Sequence, residues 1–268
     1  MVARPFIALL AGMLVAAPAS AAPHWTPLFN GHNLDNFDIG YSSRPVDGRP
    51  AGAMFEVKNG VVHTYPGQAA GTPQPSAYFQ TRDAHSNYVL HLEYKWGDKK
   101  FAPRMARMKD AGIVFHIYED APFSWPRGIE AQIEDSNVAD LWIISSRADV
   151  TVKNATFKPK PDPLQDGQPH FSPDGVQRSF GDHGQYVRVR HAADFEKPGW
   201  NSVDVVVRGD TATYLVNGQV DMRVTNLKKW NNGKWERLDS GKILFQAEFA
   251  EVSYRNIKIR PVTESDPK

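Results

Sequence analysis

The sequence predicts an all-β chain folded as an antiparallel sandwich, and three observations lead there. From Tyr88 to Trp96 the residues alternate, with Tyr88, Leu90, Leu92, Tyr94 and Trp96 on one face and Val89, His91, Glu93 and Lys95 on the other. Asn-Gly pairs at Asn59-Gly60 and Asn217-Gly218 separate runs of strand-forming residues, the pattern of tight hairpins. No segment holds a helical period for more than a turn or two. Short strands joined at such spacing read as a sandwich rather than a parallel sheet.

In chain order, residues 1–21 read as a secretory signal. Arg4 supplies the positive start, Phe6 to Val15 is an apolar run too short to span a bilayer, and small residues from Ala17 to Ala21 suit cleavage. The expected setting is therefore outside the cytoplasm, in a bacterial periplasm or the exterior. No later stretch approaches a membrane span. Residues 22–268 are expected to form one domain, a size that a single sandwich can reach. With no cysteine, the chain has no disulfide, no thiol nucleophile and no thiolate metal site, so its stability must come from its core. The net charge of +1 gives no field to gather polyanions and argues against nucleic acid.

Predicted strands follow from Met54 to His63, folded at Asn59-Gly60, and from Tyr88, Gly112, Gly128 and Tyr186 onward. Others run from Ser202 to Arg208 and Thr211 to Val216, with Gly209-Asp210 as the turn between them. The last run from Lys242 to Phe249 and Glu251 to Arg260. Two stretches interrupt the pattern. Residues 97–111 carry five Lys or Arg, among them Arg104, Arg107 and Lys109. Residues 145–184, rich in Pro, Gly, Asp and His, read as a long loop insertion, the kind of segment that carries function or closes over a site. Within it, Asn154-Ala155-Thr156 matches a glycosylation sequon.

The candidate chemistry begins at Gly128-Ile129-Glu130-Ala131-Gln132-Ile133-Glu134-Asp135. On a strand, Glu130, Gln132 and Glu134 share one face, and Ala131 and Ile133 share the other. The spacing Glu-x-Gln-x-x-Asp parallels the Glu-x-Asp-x-x-Glu of laminarinase-like glycosidases, where a bulge returns the last acid to the face of the first. On that parallel Glu130 and Asp135 share a cleft, as glycosidic cleavage requires of two carboxyl groups. His116, on the preceding strand, is a candidate base whose direction the pattern leaves open. Gln246 and Glu248 alternate with Phe245, Ala247 and Phe249, which makes Glu248 a third candidate acid. Trp125 and Trp142 bracket the Glu130 strand and offer ring faces to a sugar. His170 and His183 fall in the long loop. No tight His-x-His or His-Glu-x-x-His pattern is present; a divalent metal is possible but not required.

The order of several short motifs resembles the 3-keto-disaccharide hydrolase family. They are Leu28-Phe29-Asn30-Gly31-His32-Asn33-Leu34, Phe55-Glu56-Val57-Lys58-Asn59-Gly60-Val61, Ala111-Gly112-Ile113-Val114-Phe115, the Glu130 stretch and Gly199-Trp200-Asn201. Asn217-Gly218, Leu244-Phe245-Gln246-Ala247-Glu248 and Tyr254-Arg255-Asn256-Ile257-Lys258-Ile259 complete the order. The resemblance spans the mature chain and implies a concanavalin-like jelly-roll sandwich. It implies action on glycosides oxidised to a ketone at C3, which acidifies the C2 hydrogen and lets the C1 substituent leave by elimination. Such a site needs a base, an acid for the leaving oxygen and a group to polarise the ketone. Glu130 or His116 is the expected base and Asp135 the acid or orienting group. Gln132, Gln246 and Lys109 are expected to bind hydroxyls or the developing enolate. Asp110-Ala111-Gly112-Ile113 stands where family members often read Asn-Ser-Gly-Ile. The alternatives are a laminarinase-like endo-glucanase and a non-catalytic carbohydrate-binding domain.

Overall fold

The computed structural model describes residues 23–153 and 168–268. The expected signal segment and the Asn154 sequon lie outside them. In chain order the strands are β1 (Thr26–Pro27), β2 (Phe37–Tyr41), β3 (Phe55–Lys58), β4 (Val61–Thr64), β5 (Ala77–Thr81), β6 (Tyr88–Lys100) and β7 (Asp110–Glu119). They continue with β8 (Arg127–Glu134), β9 (Leu141–Ile144), β10 (Ser146–Lys153), β11 (His170–Phe171), β12 (Val176–Phe180) and β13 (Tyr186–Val189). The last are β14 (Asn201–Arg208), β15 (Thr211–Val216), β16 (Gln219–Asn231), β17 (Lys234–Arg237), β18 (Lys242–Ala247) and β19 (Ala250–Pro261).

The strands form two antiparallel sheets, the sandwich expected. One sheet follows the order β13-β9-β8-β7-β18-β5-β2. The other follows β11-β10-β16-β15-β14-β6-β19-β4-β3, with β1, β12 and β17 attached at its sides. The alternation read in the sequence drives the layering. Tyr88, Leu90, Leu92 and Tyr94 are all buried between the sheets, as are Ile129, Ala131 and Ile133 from the facing layer. Burying large side chains from both sheets supplies the main stabilising term, at about 25 cal/mol per Å² of apolar surface removed from water. Both Asn-Gly pairs make the expected hairpins. Asn59 and Gly60 have φ of 53° and 75°, and Asn217 and Gly218 have 50° and 80°, so both turn residues are left-handed as a type I′ turn requires.

The stretch 145–184 departs from the expected loop. It holds β10, β11 and β12, which extend the edge of the larger sheet. Ala148, Val150 and Val152 are buried and alternate with partly exposed Arg147, Asp149 and Thr151. That two-residue period is a strand signal, and the Pro- and Gly-rich composition of the neighbouring residues masked it. Residues 154–167 lie outside the described part.

Candidate active site

The seven-stranded sheet turns one face to the core and the other outward. Its middle strands β8, β7 and β18 carry polar groups on the outward face. In β8, Glu130, Gln132 and Glu134 alternate with core residues. In β7, Asp110, Gly112 and Val114 point the same way, because the register pairs Asp110 with Glu134, Gly112 with Gln132 and Val114 with Glu130. In β18, Leu244 pairs with Val114 and Phe245 with Ile113, which sets Gln246 beside Gly112. Glu248, just past β18, bridges to Asp110. On the other side of β8, Trp142 of β9 pairs with Glu130.

A cavity of about 210 Å³ lies over these strands, lined by Arg104, Asp110, Trp125, Glu130, Gln132, Trp142, Tyr186 and Glu248. Its depth shows in the exposures. Glu130, Gln132, Asp110 and Glu248 are 4–6% exposed, while Tyr186 is 49% exposed and marks the mouth. Trp125 and Trp142 form walls and pack on Val114, Ile117, Ile144 and Leu244. At the mouth the Tyr186 hydroxyl lies 3.0 Å from the Ser124 hydroxyl.

The floor works only because residue 112 has no side chain. A Cβ there would stand 2.2 Å from Glu130 Oε1 and 2.7 Å from Gln246 Oε1. The Gln246 amide is fully buried, and among the described residues neither of its polar atoms has a partner in a well-formed hydrogen bond. Gln132 Oε1 accepts the Ile133 backbone N–H at 3.1 Å, which leaves its amide nitrogen as the available donor.

Three carboxyl groups sharing so small a volume cannot all ionise freely. Arg104 is the cation among them. Its Nη1 is 2.8 Å from Glu248 Oε1 and also contacts Asp110 Oδ2, and its guanidinium lies 5.6 Å from the Phe249 ring centre. Burial pushes the Glu130 carboxyl up to about 8, with the Asp110 charge adding to it. Burial also raises Glu248, to about 7, against the opposing pull of Arg104. Asp110 is held above the usual carboxylate range by burial and by Glu248. Behind Trp142 the guanidinium of Arg188, 5.4 Å from its ring centre, joins Asp140 at 2.5 Å and Glu134 at 2.6 Å.

The structure thus brings together Glu130, Gln132, Glu248, Trp125 and Trp142, with Gln246 beneath the floor. It does not bring in three other predicted residues. His116 has φ of +51° at a register break in β7, and this bulge rotates it into the sandwich interior. There it is fully buried, and its Nε2 lies 2.9 Å from the Gly209 carbonyl oxygen. Asp135 follows the end of β8. The pairing of β8 with β7 is unbroken from Glu134 back to Ile129, so no bulge returns Asp135 to the Glu130 face. It lines a different hollow, beside Trp96. Lys109 holds the Asp135 amide through its backbone carbonyl at 3.0 Å and does not line the cavity. His170 and His183 are also absent from its lining. Asp110, Arg104 and Tyr186 are lining residues not singled out as site residues from sequence. Asp110 was readable, two positions before Gly112 on the face that β7 shares with Glu130. Arg104 carried no signal beyond its place in a basic stretch. Among the described residues no group of three or more His, Asp or Glu is placed to hold a metal ion.

The sequence matches the family model described as a 3-keto-alpha-glucoside-1,2-lyase-like domain over residues 24–260. No curated protein matches it. Among solved structures, one similar chain is a Parabacteroides distasonis protein with a provisional assignment as a glycosyl hydrolase. Its identity is 17% and its TM-score 0.49, over 89% of this chain and 100% of that one. A carbohydrate binding module from Bacillus subtilis is 6% identical with a TM-score of 0.47, over 84% and 97% of the two chains. A Bacillus licheniformis β-glucanase is 9% identical with a TM-score of 0.43, over 91% and 100%.

Proposed function

From the premise that this chain belongs to the 3-keto-alpha-glucoside-1,2-lyase-like family of carbohydrate-active domains, we propose that it cleaves 3-keto-glycosides in the Glu130 cavity. The observation that carries this reading is the meeting of Glu130, Glu248 and Arg104 over one floor walled by Trp125 and Trp142. The cavity is smaller than the roughly 300–1,000 Å³ that hold a drug-sized ligand, so it suits one sugar ring with the leaving group toward Tyr186.

Glu248, paired with Arg104, is the base. It removes the C2 hydrogen, which the C3 ketone acidifies, and the electrons pass to the ketone oxygen as an enolate. Gln132, with its amide nitrogen free, donates to that oxygen. As the ketone reforms, the C1–C2 double bond forms and the C1–oxygen bond breaks. Glu130 is protonated below about pH 8 and gives its proton to the departing oxygen. The products are an unsaturated keto-sugar and a free alcohol. Addition of water across C1 and C2 would then complete a net hydrolysis. Glu130 is thereby the acid rather than the base expected from sequence, because burial keeps it neutral where Arg104 keeps Glu248 available as an anion.

Turnover of a 3-keto-glycoside by Glu130→Gln and Glu248→Gln variants tests this assignment. Glu248→Gln should lose about 10²–10⁴-fold with every leaving group. Glu130→Gln should lose a similar factor with an alkyl leaving group and recover with p-nitrophenolate, which needs no proton. The wild-type rate should peak between the two pKa values, near pH 7–8. Equal cleavage of the unoxidised glycoside, or an unimpaired Glu248→Gln enzyme, would overturn the reading.

A further inference from the structure

A second hollow opens where β8 runs out. It measures about 430 Å³, against about 210 Å³ for the Glu130 cavity. Trp96 lies in it, with Lys95, Asp135, Asp194, Glu196 and Lys197 around the indole. A separate depression of about 540 Å³, bounded by Glu56, Lys58, His63, Glu251 and Ser253, lies on the Lys95 side of the larger sheet. Both linings include Lys95 and Trp96, but Trp96 pairs with buried Val252 and Lys95 with Ser253, so the indole belongs to the first hollow and the second lies on the opposite face of β6. No residue of either hollow lines the Glu130 cavity.

Trp96 is fixed in place. Its indole N–H donates to Glu196 Oε1 at 2.8 Å, and that oxygen also accepts the Tyr94 hydroxyl at 2.7 Å. The other Glu196 oxygen accepts the Ser136 backbone N–H at 2.8 Å. With its polar edge occupied, the half-buried indole has its ring to offer a ligand. The surrounding charges interleave. Lys95 and Lys197 stand among Asp135, Asp194 and Glu196. Mixed signs make no field that would select a polyanion or a polycation. They do supply donors and acceptors in quantity around an apolar ring. A neutral polyhydroxylated ring matches both features, since its C–H face meets the indole and its hydroxyl rim meets the charged groups.

We propose that the hollow beside Trp96 is a non-catalytic binding site that takes a neutral sugar ring of an oligosaccharide or polysaccharide. It gives Asp135, which lies away from the catalytic cavity, a place in sugar recognition. The site does not depend on the chemistry assigned to Glu130 and Glu248, so either can fail without the other.

Native electrophoresis through gels holding soluble dextran, laminarin or xylan tests the proposal. Wild-type protein and Glu130→Gln should both be retarded by at least one of the three. Trp96→Ala should weaken that affinity at least fivefold. So should the double variant Asp194→Ala/Lys197→Ala, whose two sites are exposed and place little demand on folding. Absence of retardation in all three gels overturns the site. So does full retention by the double variant, or loss of retention in Glu130→Gln, which would assign the binding to the cavity.

Discussion

Glu130 links the chemistry of the cavity to the stability of the fold. Its carboxyl is pushed from an ordinary 4.5 up to about 8, chiefly by burial. Between those two values the folded protein holds a proton that the unfolded chain has released. Stability therefore falls as pH rises through the window, by up to about 1.4 kcal/mol per pH unit from this one group. A glutamine at 130 keeps the shape of the neutral acid and has no proton to lose. Denaturant unfolding of Glu130→Gln from pH 5 to pH 8 should show a shallower decline than wild type, with the variant gaining relative stability toward pH 8. An unchanged slope would mean that Glu130 is ionised in the folded protein, and with it the role of proton donor would go. Asp140 lies on the opposite side of this balance. The His191 hydrogen bond, Arg188 and Arg190 outweigh its burial and hold its carboxyl below the usual range, so its contribution is lost as the solution becomes acid.

At the scale of the strand, much of the site was legible in the sequence, because alternation fixes which side chains share a face. Glu130, Gln132, Gln246 and the Trp142 wall follow from period two, once the strands are paired. Alternation does not register bulges, and this is where His116 escaped. One residue of left-handed backbone at 116 reverses the direction that counting from Gly112 would give. Asp135 escaped for the opposite reason, since the spacing parallel needed a bulge that β8 does not have. Gly112 is the position on which the β7–β8–β18 floor depends. Any side chain there must displace the ends of Glu130 and Gln246 together, and Gln246 is fully buried. Gly112→Ala is expected to cost roughly 1–3 kcal/mol of stability, the usual range for overpacking. It should also lower turnover more than it weakens thermal resistance, because the displaced atom belongs to the proposed proton donor. Parallel melting and rate measurements check this. A variant with normal turnover would show that Glu130 need not sit over residue 112.

At the scale of the molecule, the cavity hangs on a buried charge network that ties one end of the smaller sheet to the larger. Arg188 of β13 is fully buried at its side chain and joins Glu134 at the end of β8 to Asp140 in the turn that follows. Asp140 accepts the His191 ring at 2.6 Å, and over the next two residues the chain is held by Asp221 of β16 through the amides of Ala192 and Ala193. The guanidinium also backs Trp142, so the same residue supports a wall of the cavity. Arg190 and His191 give Asp140 partial compensation, while among the described residues Glu134 retains only its 2.7 Å bond from Asn137 if Arg188 is removed. Breaking a buried ion pair at one partner typically costs about 3–5 kcal/mol, because the remaining charge is stranded in a poor solvent. For a domain near this size that corresponds to a fall in melting temperature of roughly 6–20 °C, at about 2–4 °C per kcal/mol. Arg188→Met should fall in that range at neutral pH. The deficit should shrink in acid, as Asp140 becomes protonated and its stranded charge disappears. A variant that melts within a degree or two of wild type at neutral pH would show that the two sheets hold the cavity in shape without this network.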